Sequence, residues 1–174
     1  MAGNLEFINS FTSGSVTSFS IDNIFSDDYD VYYFTANTGA SDFTNTHINL
    51  RLLDSTGTVI SATEYDRARL LMLSFAAFQE AKGTNQNFMV QVLYMKSNPS
   101  AIGGNTNFYI YNPYDSSSYT FLSGQNSLFD GGVGDGGLGN KFISVHKSAE
   151  TIRGINLYSG ETMNAVEVSV YGVK

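Results

Sequence analysis

The chain reads as an all-β protein: one β-sandwich domain of jelly-roll type over residues 1–174. Three observations lead there. Apolar and polar residues alternate with period two in several segments, most cleanly where Val166, Val168 and Val170 interleave with Glu167 and Ser169. Turn-forming residues punctuate the chain often enough to separate roughly eight to ten short strands. No repeat of fixed period interrupts that pattern. At 174 residues, a single domain buries roughly 70% of its unfolded surface, enough for a core without disulfides or metal.

The elements follow in order. Leu5–Ile8 is a first short strand, and the Ser/Thr-rich stretch Ser10–Ser20 an edge strand. Ile21–Asp28 reads as a turn-rich connection. Tyr29–Ala36 is a strand with aromatics on both faces: Tyr29, Val31 and Tyr33 on one, Tyr32 and Phe34 on the other. Two-sided aromatic burial implies a central strand, or one face on the core and one on a partner. His47–Leu53 sends Ile48, Leu50 and Leu52 inward. Asp54-Ser55-Thr56-Gly57 is a hairpin turn leading to a strand at Thr58–Ala62.

A short helix or irregular segment is expected within residues 64–82. Thr63 and Asp66 suggest a capping box, and Tyr65, Ala68, Met72 and Phe75 keep helical spacing. The competing reading is a strand across Leu70–Phe75, and periodicity over so short a run does not separate the two. Further strands are expected at Asn87–Met95, Asn107–Tyr111, Tyr119–Leu122, Lys141–His146 and Thr151–Tyr158, the last with a bulge near Gly154. Ser97–Thr106 reads as a loop. Leu128–Asn140 reads as a glycine-rich surface loop. The last strands are expected to form a terminal hairpin that closes the domain.

Composition narrows the function. The formal charge of −7 argues against nucleic acid and anionic membrane surfaces as partners. No stretch approaches the ~20 apolar residues that span a bilayer, and no secretory signal is visible at residues 1–12. The chain contains no cysteine, which removes disulfides, thiolate metal sites and cysteine nucleophiles. Tyr, Phe, Ser, Thr and Asn dominate instead, a surface chemistry suited to packing on protein or stacking on sugars. The absence of Trp weakens the sugar reading.

Catalytic signals are weak. His47 and His146 read as solvated strand histidines rather than members of a Ser-His-Asp or metal site. No Gly-x-Ser-x-Gly elbow occurs. Asp27, Asp28 and Asp30 could hold calcium, as could Asp130 and Asp135 in the glycine loop, but turn and loop roles explain both groups. Among Glu64, Glu80, Glu150, Glu161 and Glu167 no catalytic carboxylate pair stands out. No catalytic or metal residue and no cofactor is therefore assigned. The aromatic load is the stronger signal. Tyr29, Tyr32, Tyr33, Tyr109, Tyr111 and Tyr114 exceed the needs of one core layer and are the candidate interface residues.

Two terminal segments carry a resemblance. One is Ile152-Arg153-Gly154-Ile155-Asn156-Leu157-Tyr158 followed by Ser159-Gly160 and Val166–Lys174. The other is Leu5-Glu6-Phe7-Ile8, a Ser/Thr stretch, and Ile24-Phe25-Ser26-Asp27-Asp28-Tyr29-Asp30-Val31-Tyr32. Together they resemble small β-sandwich virion modules of tailed phages, notably marine and cyanobacterial ones: capsid decorations, neck appendages and tail proteins. The resemblance implies a non-enzymatic structural protein of a bacteriophage virion, made in the host cytoplasm and bound to capsid or tail proteins. Coiled-coil heptads and shaft repeats are absent, so attachment is expected through the module's own surface, with a homotrimer as the favoured assembly. The alternative is a receptor- or carbohydrate-binding module of a tail fibre that recognises a host surface glycan, with exposed tyrosines around Asn105–Tyr119 as its site.

Overall fold

The computed structural model describes residues 4–38, 46–95, 102–130, 136–163 and 165–174. The strands are β1 Leu5–Thr12, β2 Val16–Ile21, β3 Val31–Thr38, β4 Thr46–Leu53, β5 Tyr65–Leu73 and β6 Gln79–Gln86. They continue with β7 Val90–Met95, β8 Ile102–Tyr111, β9 Thr120–Asp130, β10 Gly136–His146, β11 Gly154–Met163 and β12 Val166–Val173. One sheet has eight strands in the order β1-β12-β3-β8-β9-β10-β5-β6, and the other has four in the order β2-β11-β4-β7.

Strand pairing gives the architecture directly. β1 pairs with β12, β2 with β11, β3 with β8 and β4 with β7, all antiparallel. The first half of the chain thus lies against the second half in reverse order. The resulting ribbon curls until β12 also pairs with β3 and β11 with β4. That is a jelly roll, as the sequence leads one to expect. Two hairpins, β5–β6 and β9–β10, are inserted after β4 and β8, and both extend the same sheet. The large sheet therefore outgrows its partner.

The core forms where the two sheets face each other. Tyr32 and Phe34 of β3, Ile48, Leu50 and Leu52 of β4, Phe108 and Ile110 of β8, and Val166, Val168 and Val170 of β12 are buried there. The rings of Phe34 and Phe108 stack at 4.8 Å between centroids, across a register pair. Each such side chain contributes roughly 1.5–3 kcal/mol on burial. Beyond the narrow sheet, the inner side of β5 carries a cation on a ring. The Arg67 guanidinium lies 3.9 Å from the Phe88 ring centre. Arg51 and Tyr158, out of phase with the core residues of β4 and β11, form a second such pair at 4.0 Å on the small sheet.

Several expectations are corrected. Residues 64–82 contain no helix: Tyr65–Leu73 and Gln79–Gln86 are strands of one hairpin. The helical spacing is coincidental. Arg67 and Arg69 face inward, while Ala68 and Leu70 stand on the outer face beside Ile143 and Lys141, and pairing with β10 overrides local propensity. The terminal hairpin is not a paired one. β11 and β12 lie in opposite sheets, so Ile155 and Leu157 meet Val166, Val168 and Val170 across the core. The bulge near Gly154 is absent from the β11–β4 register, and Ile152 is buried ahead of the strand instead.

Thr58–Ala62 makes one isolated bridge, Val59 to Leu53, rather than a strand. Of the expected loops at Ser97–Thr106 and Leu128–Asn140, the described residues are strand: β8 starts at Ile102, β9 runs to Asp130 and β10 starts at Gly136, while residues 97–101 and 131–135 lie outside the described residues. Asp135 lies outside the described residues.

Two predictions follow from packing and turn chemistry. A Cβ at Gly154 would sit 2.2 Å from the Ile21 carbonyl oxygen and 3.0 Å from Asp22 Cα. Gly154→Ala should therefore cost about 1–3 kcal/mol in urea unfolding, and an unchanged midpoint would contradict this packing. The Asp54 carboxylate accepts bonds from Thr56 Oγ1 at 2.7 Å, Thr56 N at 2.8 Å and Thr58 N at 2.9 Å. These bonds, the hydroxyl foremost, hold its pKa below the ordinary carboxylate value. The stabilisation is fully present above the unfolded pKa of about 3.9 and is lost as pH falls through the folded pKa. Asp54→Asn should be less stable than the parent at neutral pH, with the gap closing in strong acid. A gap independent of pH would overturn the assignment.

Candidate functional site: the open face of the large sheet

Alternation along each strand sends one set of side chains into the core and the other set outward. On the eight-stranded sheet the outward set falls into register. Phe7 pairs with Tyr171, Tyr171 with Tyr33, Tyr33 with Tyr109 and Tyr109 with Ser123. The line continues from Ser123 to Ile143, then Ala68, then Lys82. One row of side chains thus crosses all eight strands. Its rings touch in sequence: Phe7–Tyr171 at 5.6 Å, Tyr171–Tyr33 at 6.0 Å and Tyr33–Tyr109 at 4.9 Å.

The neighbouring rows differ in chemistry. On one side run Thr35, Asn107, Gln125 and Lys141, successive partners across β3, β8, β9 and β10. On the other run Val31, Tyr111, Phe121 and Val145. The face therefore grades from amide to aromatic within three rows. Small residues cut a trough into it. Ser123, Gly124 and Ala68 lie between Tyr109 and the Ile143–Lys82 side, and the opening holds about 870 Å³. An amide-lined hollow of about 470 Å³ adjoins Asn107 and Gln125, and an apolar one of about 840 Å³ lies over Tyr111, Phe121 and Val145.

Gly124 has a structural cause. A Cβ there would meet Phe108 Cβ at 2.4 Å and the Asn107 carbonyl at 2.5 Å, so close packing on the buried Phe108 requires glycine at this position. Tyr111 Oη and Ser123 Oγ share a hydrogen bond of 3.1 Å that fixes one wall. Burial, and then the neighbouring Tyr109 and Tyr171, raise the Tyr33 pKa, so its phenol stays neutral at physiological pH. The charged side chains of the trough are Lys141, Lys82 and Glu80.

The six tyrosines singled out in the sequence are not one set. Tyr33, Tyr109 and Tyr111 stand on this face, and Tyr114 is exposed in the turn after β8. Tyr32 is corrected: it is fully buried, its hydroxyl accepting from Ser26 N at 2.8 Å and donating to Ser26 O at 3.1 Å. Tyr29 is corrected as well. It precedes β3, packs against the core and fills the space left by Gly172. Phe7, Tyr171, Phe121, Ile143, Gln125 and Lys141 complete the face and were not anticipated. The alternation Lys141-Phe142-Ile143, with the middle residue buried, carried that signal.

His47 lies half-buried on β4, out of phase with Ile48 and Leu50. The reading of His146 as solvated is overturned. It points inward with Phe142 and Ser144 and is fully buried, with Nε2 3.2 Å from Glu64 Oε2 and 3.7 Å from Glu150 Oε1. Asp27, Asp28 and Asp30 lie at the approach to β3, where Ser26 Oγ donates to Asp28 at 3.0 Å.

No family model and no curated protein matches the chain. Among solved structures, Caenorhabditis elegans galectin LEC-6 is 13% identical, with 95% of this chain and 96% of that one covered and a TM-score of 0.36. The CBM2 module of the evolved Dit of Lactobacillus casei BL23 phage J-1 is 15% identical, with 99% and 80% covered and a TM-score of 0.24. Congerin II, liganded with lactose and MES, is 15% identical, with 80% and 98% covered and a TM-score of 0.25. At these scores the fold assignment rests on the strand pairing described above.

Proposed function

We propose that this chain is a non-enzymatic binding module that takes a saccharide across the open face of its large sheet. The observation that carries the reading is the register row Phe7–Tyr171–Tyr33–Tyr109–Ser123–Ile143, flanked by Asn107, Gln125 and Lys141. Sugar rings present apolar C–H faces and a rim of hydroxyls. Exposed tyrosine rings match the first, and amides and an ammonium match the second. From β8 to β5 the trough crosses three interstrand steps of about 4.8 Å each, room for a short oligosaccharide. The terminal motifs that resemble phage virion modules support carriage on a phage particle, where such a module would meet a host surface glycan.

A second reading rests on a specific observation. Phe121 and Ile143 are 44% and 61% exposed beside the same trough. Side chains that apolar favour a protein neighbour, which fits a capsid-decoration, neck or tail protein whose face is covered by a virion subunit or by further copies of itself, as in a trimer.

One experiment separates the two. Purified protein is screened against immobilised neutral and amino oligosaccharides, and hits are titrated by calorimetry. The expected result is a saturable ligand whose affinity falls about tenfold or more in Tyr109→Ala, which is about 1.4 kcal/mol, with the unfolding midpoint kept. A complete absence of ligands at millimolar affinity, together with a stable trimer by light scattering, would overturn the saccharide reading in favour of the protein-covered face.

A further inference from the structure

His146 is the one histidine, aspartate, glutamate, lysine or arginine among the described residues whose side chain is fully buried. It does not touch the open face. It closes β10, and its Nε2 is turned toward two carboxylates from different segments, Glu64 at 3.2 Å and Glu150 at 3.7 Å. The three ligand atoms all lie within 4.8 Å of one another. We propose that Glu64, His146 and Glu150 form a binding site for a divalent transition-metal ion of the zinc type.

The geometry fits that ion. Bonds of about 2.0–2.2 Å in a tetrahedral site place neighbouring ligands about 3.3–3.5 Å apart. The two distances from Nε2 bracket that edge. One imidazole with two carboxylates suits zinc and its neighbours, whereas calcium requires six to eight oxygens. Both glutamates are partly exposed, so water reaches the remaining positions. The ligands are held by the fold rather than gathered on a loose loop. Lys147 N donates to the Glu64 carbonyl at 2.9 Å, and Tyr65 pairs in register with His146 with its ring centre 5.0 Å away. Ile152 N donates to the Pro113 carbonyl at 2.7 Å, which anchors the segment carrying Glu150.

The far side of the imidazole is closed to solvent. His146 Nδ1 and Thr120 Oγ1 are both buried without a hydrogen-bond partner. Thr120 and His146 are directly opposed in the β9–β10 register, so both side chains project to the same side of the sheet. A metal on Nε2 fixes the ring proton on Nδ1, and Nδ1 makes no hydrogen bond that would compete for the opposite tautomer.

The test uses the full chain, stripped with chelator and titrated with zinc chloride by calorimetry, with calcium chloride in parallel. One equivalent of zinc should bind, and calcium should bind much more weakly. Glu64→Gln/Glu150→Gln should weaken zinc binding more than about tenfold, while His47→Ala leaves it unchanged. Because His146 is buried and its replacement could unfold the chain, the double glutamine variant, checked by its unfolding midpoint, is the deciding one. Cobalt(II) should give visible absorption in the parent and lose it in that variant. Absence of saturable zinc uptake, or uptake that the glutamine variant leaves intact, would overturn the proposal.

Discussion

The pairing of Val31–Thr38 with Val166–Val173 holds the rest of the molecule in place. It joins the chain's early segment to its last strand across eight consecutive register pairs, from Val31–Val173 to Thr38–Val166. β12 in turn carries β1, and β3 carries β8, from which the whole extension of the sheet grows. On the inner side the pair delivers Tyr32, Phe34, Val168 and Val170 to the core. On the outer side it delivers Tyr33 and Tyr171 to the ring row. One register therefore sets both stability and surface. A slip by one residue would exchange the two faces and destroy both.

The two inserted hairpins explain why a jelly roll of ordinary plan has so broad a face. A sandwich of equal sheets hides one side of each and exposes two modest ones. Here β9, β10, β5 and β6 widen one sheet only, and the rows begun on β12 and β3 run on to Ile143 and Lys82. The inner side of that extension lacks a full partner sheet. It is finished with Arg67 on Phe88, a bond from Arg69 to Gln91, and Asn126 bonding the Val92 carbonyl at 3.0 Å. Polar closure there leaves apolar and aromatic groups for the outer trough.

Much of this was legible in the sequence. The period-two pattern of Val166–Val170 and the split aromatics Tyr32/Phe34 against Tyr33 gave strand, phase and face. Jelly-roll class followed from strand count and spacing, and the pairing bears it out. The β5–β6 hairpin was hidden because Arg67, Ala68 and Arg69 carry little β propensity; their strand form is imposed by β10. The relation of β11 to β12 is hidden because alternation sets which face of each strand is buried but not which sheet it joins, and Ser159 and Gly160 continue β11 instead of turning the chain. His146 was misread because its burial comes from facing strands, not from its neighbours in sequence. The face itself was half visible: tyrosine count announced it, but Phe7, Ile143 and Gln125 enter it only through long-range register.

The proposed saccharide site lies on one surface, and that surface has a residue-level signature. The most direct measurement is a map of backbone amide shifts by nuclear magnetic resonance as a saccharide bound in the screen is added. Shifts concentrated at Tyr33, Tyr109, Ser123, Gln125, Lys141 and Ile143, with β2, β11 and β4 silent, are what the account predicts. Shifts confined to the four-stranded sheet or to the turn around Tyr114 would contradict it.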